Sequence, residues 1–300
     1  MHNFHKIIIL FAILISLVSC TKEIDIELPD APPKIVVNSF FTNNSQIKVH
    51  LSESIGILEN TVPECTDATI IISENNNIID TMYLDSGYYY SHIIAEQNKN
   101  YSLKIFAPGT DTVFCEDIIP EKTILQSVSY TDSVLINEDG NIINELRLDF
   151  QDFDGPNFYE IELAGNDTVR NTYVPVSDNN VPIIFDKNSD PVITSTGLLD
   201  YDPRTLIFTD KMFDGQHCSV RIYFYTQWYR DYNLKIILRS VSESYYRYKE
   251  KQFAYLFSLD YDIFSGMSEP VNLYSNVTGG YGIFAGYSSD EKEITVAINQ

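Results

Sequence analysis

The sequence predicts an all-β protein, because it is rich in residues that favour extended backbone and divides into short runs separated by turn residues. The 300-residue chain contains 21 Tyr and 17 Phe beside many Ile, Val and Thr, and only 4 Met. Aromatic and β-branched side chains fit the half-buried surface of a pleated sheet. With 44% hydrophobic and 21% charged residues, the composition is that of a folded protein and excludes wholesale disorder.

The N-terminus predicts a lipoprotein signal peptide over residues 1–19, with Cys20 as the lipid attachment site. An apolar run that begins at Ile7 falls short of the ~20 residues that a membrane-spanning helix needs. Leu17 and Ser19, ahead of Cys20, resemble the bacterial lipobox, in which the thiol is diacylated before the signal is removed. Two or three acyl chains make a stable anchor. The alternative is an ordinary secretory signal that is cleaved nearby.

Residues 20–34 predict an extended acidic and proline-rich tether that leads from the anchor to the folded body. Lys22-Glu23 and the acidic residues that follow resemble the export signal that sends Bacteroidota lipoproteins to the outer face of the outer membrane. We therefore expect a lipid-anchored outer-membrane protein that faces the cell surface rather than the periplasm.

Residues 35–120 predict an immunoglobulin-like β-sandwich, since short strands alternate with turn residues over a length typical of that domain. Within 47–51, apolar residues alternate with Lys48 and His50. A period of two is typical of an antiparallel sheet that buries one face.

Residues 121–300 predict a larger antiparallel β domain with one short helix. Asp139-Gly140 marks the tip of a β-hairpin, because these residues suit a tight turn. The helix is predicted near 243–256, with Ser242 as its N-cap and Glu243 in its first turn.

Three cysteines remain after Cys20, and an odd number of thiols cannot all pair within one chain. Cys65 and Cys115 fall in the same predicted domain, and a disulfide between them suits a compartment outside the inner membrane. The alternative is two separate, small, buried hydrophobic side chains. Cys218 has no CxxC partner nearby, so a metal site is not indicated there.

Four glycines close to the C-terminus, Gly279, Gly280, Gly282 and Gly286, alternate with aromatic and aliphatic residues. They predict a backbone that turns tightly and approaches other elements, with rings beside it. The segment lacks the Lys-Ser/Thr pair and the following helix of a nucleotide-binding loop, so that alternative is disfavoured.

Four stretches together carry a family resemblance: the lipobox with its acidic tail, and residues 209–215, 242–248 and 269–284. The last contains the most specific pattern, Pro-x-x-x-x-Ser-Asn-x-x-Gly-Gly-x-Gly-Ile-Phe. Over most of the mature chain, the sequence resembles a family of Bacteroidota outer-membrane lipoproteins of unknown function. The resemblance implies genes beside TonB-dependent receptors, and therefore a subunit of an outer-membrane uptake or signalling system. It implies no catalytic residues.

Motifs for catalysis, metals and cofactors are missing from the sequence. The histidines of the mature chain show no two-histidine metal spacing, and no Gly-x-Ser-x-Gly elbow occurs. Asp152, Asp154 and Gly155 begin like a calcium loop, but Leu163 stands where an EF-hand has glutamate, so a turn is favoured. We predict no metal site and no cofactor.

Aromatic residues are the remaining candidates for ligand or partner contacts. Trp228 and Tyr229, and the run Tyr88-Tyr89-Tyr90, offer rings for a sugar or peptide platform, although strand tyrosines more often pack against cross-strand neighbours. The formal net charge of −22 repels phosphate groups, so nucleic acid is excluded as a partner.

These observations predict a non-enzymatic lipoprotein that acts as an accessory or binding subunit of a TonB-dependent outer-membrane barrel in nutrient uptake or signalling. The alternative is a stand-alone cell-surface adhesin that binds glycans or proteins. A hydrolase is a third class, and it requires two facing carboxyl groups in an acidic cleft. The sequence does not specify the ligand.

Overall fold

The computed structural model describes residues 32–56, 59–136, 142–167, 172–175, 184–185, 205–225, 232–260 and 271–296. These residues form eighteen strands and one helix, which confirms the all-β class. In chain order the elements are β1 Ile35–Thr42, β2 Gln46–Glu53, β3 Thr69–Glu74, β4 Asn77–Thr81, β5 Tyr83–Asp85, β6 Tyr88–Ile94, β7 Asn100–Phe106, β8 Val113–Ile118, β9 Leu125–Ile136, β10 Ile142–Gln151, β11 Phe158–Asp167, β12 Thr172–Pro175, β13 Ile184–Phe185, β14 Thr205–Thr209, β15 His217–Tyr225, β16 Tyr232–Val241, α1 Glu243–Asp260, β17 Val277–Thr278 and β18 Tyr281–Val296.

Strands β1 to β8 form a sandwich of two sheets. One sheet runs β1-β2-β6-β5 and the other runs β8-β7-β3-β4. This is the immunoglobulin arrangement, A-B-E-D against G-F-C with an added strand beside C, and it confirms the immunoglobulin-like prediction. Every second side chain enters the core, such as Val37 and Val49 from the first sheet and Ile72 and Leu103 from the second.

A second sandwich follows the first and has its own core. Its sheets are β12-β11-β16-β18, with β14 also on β11, and β13-β15-β10-β9. β9 and β10 form the predicted hairpin, whose tip at 137–141 lies outside the described residues. Aromatic rings fill the centre: the ring centroid of Tyr159 lies 5.2 Å from that of Phe150 and 5.4 Å from that of Phe208. The two sheets of the second sandwich therefore enclose one hydrophobic core.

One sheet of nine strands runs through both sandwiches. β18 pairs in parallel with β1 over 281–287 and antiparallel with β16 over 287–296. Residues Pro33–Gln300 accordingly form one compact unit. The two sandwiches on either side of the predicted boundary at residue 120 have separate cores. They share one sheet, because β18 joins them through backbone hydrogen bonds.

The glycines of the C-terminal motif let β18 lie close to β1 and to β8. A Cβ atom on Gly282 would lie 1.9 Å from the carbonyl oxygen of Val37, and one on Gly286 would lie 2.2 Å from that of Ile118. Gly282 also has a positive φ of 107°, which side chains other than hydrogen rarely allow. The predicted close approach of this backbone to other elements is thus confirmed.

Helix α1 begins where the sequence predicts and ends at Asp260, four residues beyond the predicted end. The Ser242 hydroxyl accepts a hydrogen bond from the backbone N–H of Tyr245 at 3.1 Å, as an N-cap does. Tyr245 and Tyr246 pack on the outer face of the nine-stranded sheet against Val241 and Ile283. Among the described residues, no helix is long and apolar enough to cross a bilayer.

Replacing Gly282 by Ala should lower the free energy of unfolding by about 3 kcal/mol or more, because the methyl group would meet the Val37 carbonyl and the backbone conformation is strained. Gly109→Ala is the control, since Gly109 also has a positive φ but nothing within 4 Å of the added Cβ. We expect a loss of about 1 kcal/mol there. Urea denaturation of both variants measures the difference, and equal losses would contradict the close approach.

Candidate binding surface

The outer face of β2, β6 and β5 carries five exposed or half-buried rings and one lysine. We call this group the tyrosine face, and six residues define it: Lys48, His50, Tyr83, Tyr88, Tyr90 and His92. Alternation along β6 produces it, because Tyr89 enters the core at 2% exposure while Tyr88 points outward at 37%. Lys48 and Tyr83 both pair with Tyr90, so one row crosses three strands.

The rings of the tyrosine face touch one another across the strands. The ring centroid of Tyr83 lies 5.9 Å from that of Tyr90 and 4.7 Å from that of His92. His50 contacts Tyr88 at 5.3 Å, and Tyr88 lies 6.5 Å from Tyr90. The result is a continuous, ring-covered surface on a rigid sheet, with hydroxyl and imidazole groups at its edges.

Lys48 places a positive charge on this surface, and Asp85, which pairs with Tyr88 across β5 and β6, places a negative charge on the same face. The Lys48 ammonium lies 3.5 Å from the centre of the Tyr88 ring and 5.7 Å from that of Tyr90. No described carboxylate is within salt-bridge distance of Lys48. His92, in contrast, is held at the edge, since its Nδ1 lies 3.0 Å from Asp80 Oδ1. Partial burial favours a higher pKa for Asp80, but hydrogen bonds from His92 outweigh burial and lower that pKa.

A second group of polar residues lies at one end of the C-terminal sandwich, where Asp152, Asp210 and Asp214 each place a carboxylate oxygen within 4.8 Å of the others. Their oxygens accept hydrogen bonds: Asp152 from the Tyr159 hydroxyl and from the Gly215 N–H at 2.8 Å, and Asp210 from the Asn157 N–H at 2.6 Å. Burial raises the pKa of Asp152 and of Asp210.

Such carboxylates have the oxygen ligands that a hard cation prefers. The sequence pattern predicts a turn at Asp152 and gives no sign that Asp152 lies beside Asp210 and Asp214, some 60 positions later. In the structure the three carboxylates fix two adjacent turns through backbone N–H groups. This arrangement explains their positions without a ligand.

A buried ion pair joins helix α1 to the sheet beneath it. Arg239 donates to Glu160 at 2.7 Å and to Glu162 at 2.6 Å, and the Tyr245 hydroxyl donates to Glu160 at 2.7 Å. Glu160 is 1% exposed, and Thr205 donates to its other oxygen. The Glu160 carboxylate and the Arg239 guanidinium therefore both have hydrogen-bond partners, which a protein needs in order to keep a charge in its interior.

Asp117 forms a second polar link, between β8, β18 and the start of α1. Its carboxylate accepts hydrogen bonds from the Ser242 hydroxyl and from the Gly286 N–H at 2.9 Å, while the Ser242 N–H donates to the Gly286 carbonyl at 3.0 Å. Burial raises the pKa of Asp117 to about 6, although its hydrogen bonds oppose the rise.

The predicted site residues fall in different places. Cys20, Trp228 and Tyr229 lie outside the described residues, so lipid attachment at Cys20 and contacts through Trp228 and Tyr229 stay predictions. The candidate disulfide is not formed, since Cys65 and Cys115 are both free and buried. The Cys65 sulfur lies 3.8 Å from Asp67 Oδ1, and burial raises the pKa of Cys115. The structure thus shows the alternative, two small buried side chains.

Fold and surface together define an all-β protein of two sandwiches that share a sheet and expose a tyrosine-rich face. The chain belongs to the family described as a domain of unknown function (DUF4249), whose model matches residues 21–293. This match confirms membership of an unknown-function family. No curated protein matches the chain.

Among solved structures, the chain is similar to a protein from Corynebacterium diphtheriae described as membrane anchored, with 13% identity and a TM-score of 0.20. The match covers 71% of this chain and 55% of that protein, so the chain spans about half of its length. It is also similar to the collagen adhesin of S. aureus, with 6% identity, a TM-score of 0.18 and coverage of 89% and 95% of the two chains. These scores are too low to support an argument about function.

Arg239→Met should lower the free energy of unfolding by about 3 to 5 kcal/mol, because it leaves the buried Glu160 carboxylate unpaired. Arg247→Met is the matched control, since Arg247 pairs with Glu243 on the exposed side of α1 and should lose less than about 0.5 kcal/mol. Urea denaturation measures both. Adding Glu160→Gln to Arg239→Met should recover part of the loss, and failure to recover any would contradict the charge as its cause.

Asp117 should make the protein less stable as the pH rises. The folded protein holds the Asp117 proton up to about pH 6, whereas the unfolded chain loses it near pH 3.8. The contribution of Asp117 to the free energy of unfolding therefore decreases as the pH rises from about 3.8 to about 6. From pH 4 to 7, the free energy of unfolding of Asp117→Asn should gain roughly 2 kcal/mol relative to wild type. Urea denaturation across this range tests it, and parallel pH profiles would contradict the assignment.

Proposed function

We propose that the protein is a lipid-anchored, non-enzymatic binding subunit of a TonB-dependent outer-membrane receptor in nutrient uptake or signalling. The observation that supports binding is the tyrosine face, a continuous exposed group of rings on a rigid sheet. Tyrosine supplies a large contact area with a polar tip, and it loses little conformational entropy on binding. Strands hold such side chains in place better than loops do.

The anchor and its location are predictions from the sequence. Acylation at Cys20 would attach the chain to the outer membrane, on the cell surface rather than in the periplasm. Fully extended, the predicted tether 20–34 spans up to about 50 Å, enough to lift the folded body away from the lipid headgroups and beside a barrel. The resemblance to lipoproteins encoded next to TonB-dependent receptors supports such a barrel as the partner.

A non-enzymatic role is supported by the way in which the described buried carboxylates are used. Glu160 pairs with Arg239, Asp117 holds the start of α1, and Asp152 binds a turn N–H and a tyrosine hydroxyl. Each of these three carboxylates hydrogen-bonds to its own fold. The carboxylates of Asp152, Asp210 and Asp214, which lie close together, accept hydrogen bonds from backbone N–H groups of the turns that they hold.

Affinity purification of the acylated protein from outer membranes in mild detergent tests this function. We expect a TonB-dependent barrel to be recovered in stoichiometric amount, and an unrelated lipoprotein of the same cells, used as bait, not to recover it. Cys20→Ala removes the acylation site and should leave the protein off the membrane with little barrel. Recovery of the intact, acylated protein alone would overturn the receptor assignment and favour the stand-alone adhesin.

A further inference from the structure

We propose that the tyrosine face binds an acidic saccharide, a sugar chain that carries carboxylate groups such as those of uronic acids. This inference names the ligand class of the proposed binding function and rests on that function being binding rather than catalysis. It does not depend on the identity of the barrel. Three features of the face support it: its rings, its charge and its shape.

The rings match the two-sided chemistry of a sugar. A pyranose has apolar C–H faces and polar hydroxyl edges, and tyrosine has an apolar ring and a polar tip. Tyr83, Tyr88 and Tyr90 contribute rings and hydroxyls, and Gln46 Nε2 reaches the Tyr83 hydroxyl at 3.5 Å. Ile94, 55% exposed, follows His92 on the same side of β6 and adds one aliphatic side chain at the end of the face. Rings and hydroxyls therefore make up most of the surface that a saccharide would contact.

Lys48 is the residue of the face that favours an acidic ligand. The chain has 42 Asp and Glu against 20 Lys and Arg, yet Lys48 lies exposed among the tyrosines with no described carboxylate in salt-bridge distance. Its position over the Tyr88 ring fixes the ammonium directly beside the stacking surface. A ligand carboxylate next to a stacked sugar ring would meet that ammonium.

The shape of the face suits a short, extended chain. Tyr88, Tyr90 and His92 follow one another on β6 over about 13 Å, and the face is three strands wide at about 4.8 Å per strand spacing. Neighbouring rings of this surface are tilted against one another by 30° to 55°, and the strands beneath fix their positions. A ligand of a few sugar units can therefore lie along β6 with Lys48 beside it.

Calorimetric titration of the full-length acylated protein in mild detergent, with oligogalacturonate and a neutral galacto-oligosaccharide of equal length, tests the proposal. We expect oligogalacturonate to bind at least tenfold more tightly than the neutral sugar, and less tightly as salt is added. Lys48→Gln should abolish that preference. Lys104→Gln is the matched control, because Lys104 is an exposed lysine 5.2 Å over the Phe106 ring on the opposite sheet of the same sandwich.

A second variant, Tyr83→Ala with Tyr90→Ala, should lose binding of the acidic sugar at least tenfold while its thermal unfolding stays cooperative. The proposal is overturned if wild type binds neither sugar, if it binds both equally, or if Lys104→Gln weakens binding as much as Lys48→Gln. It is also overturned if the double tyrosine variant loses the receptor barrel in the purification above, since the face would then be a protein interface. If that variant retains the barrel while wild type binds no sugar, this inference fails and the proposed function stands.

Discussion

The parallel pairing of β1 with β18 is the constraint on which the rest of the molecule depends. It brings a strand near the end of the chain against the first strand of the fold, and it requires hydrogen in place of a side chain at Gly280 and Gly282. β17 adds to β8 in the opposite sheet, so residues 277–287 close one edge of the N-terminal sandwich. The same β18 then continues into the second core. Neither sandwich is complete without it.

Buried polar groups secure the region where the two sandwiches meet. Asp117 ties β8 and β18 to the N-cap of α1, and Arg239 ties the helix residue Tyr245 to the sheet through Glu160. Both links are charged and buried, so each depends on hydrogen bonds that are complete. They specify where α1 lies on the sheet, whereas the apolar contacts of Tyr246 and Ile283 supply much of the packing.

The local features of the fold could be predicted from the sequence, and the long-range ones could not. Alternation in 47–51 gives the strand and its faces, Ser242 gives the helix start, and the glycines give the close approach. Which strand Gly282 approaches is not encoded locally, because Val37 lies far away in the chain. Asp152 and Asp210 are also far apart in the chain, so the sequence does not predict that they lie side by side. The run 88–90 predicts part of the tyrosine face, whereas Lys48 and Tyr83 join it only through cross-strand pairing.

The position of β1 within the sheet has a mechanical consequence. A pull on the residues before Ile35 acts along β1, which lies between β18 on one side and β2 on the other. The hydrogen bonds of both ladders run across that direction, so they resist together in shear and do not open one after another. Tension from a membrane attachment would enter the middle of a nine-stranded sheet and spread into both cores, while β5, at the edge that carries the tyrosine face, would bear little of it.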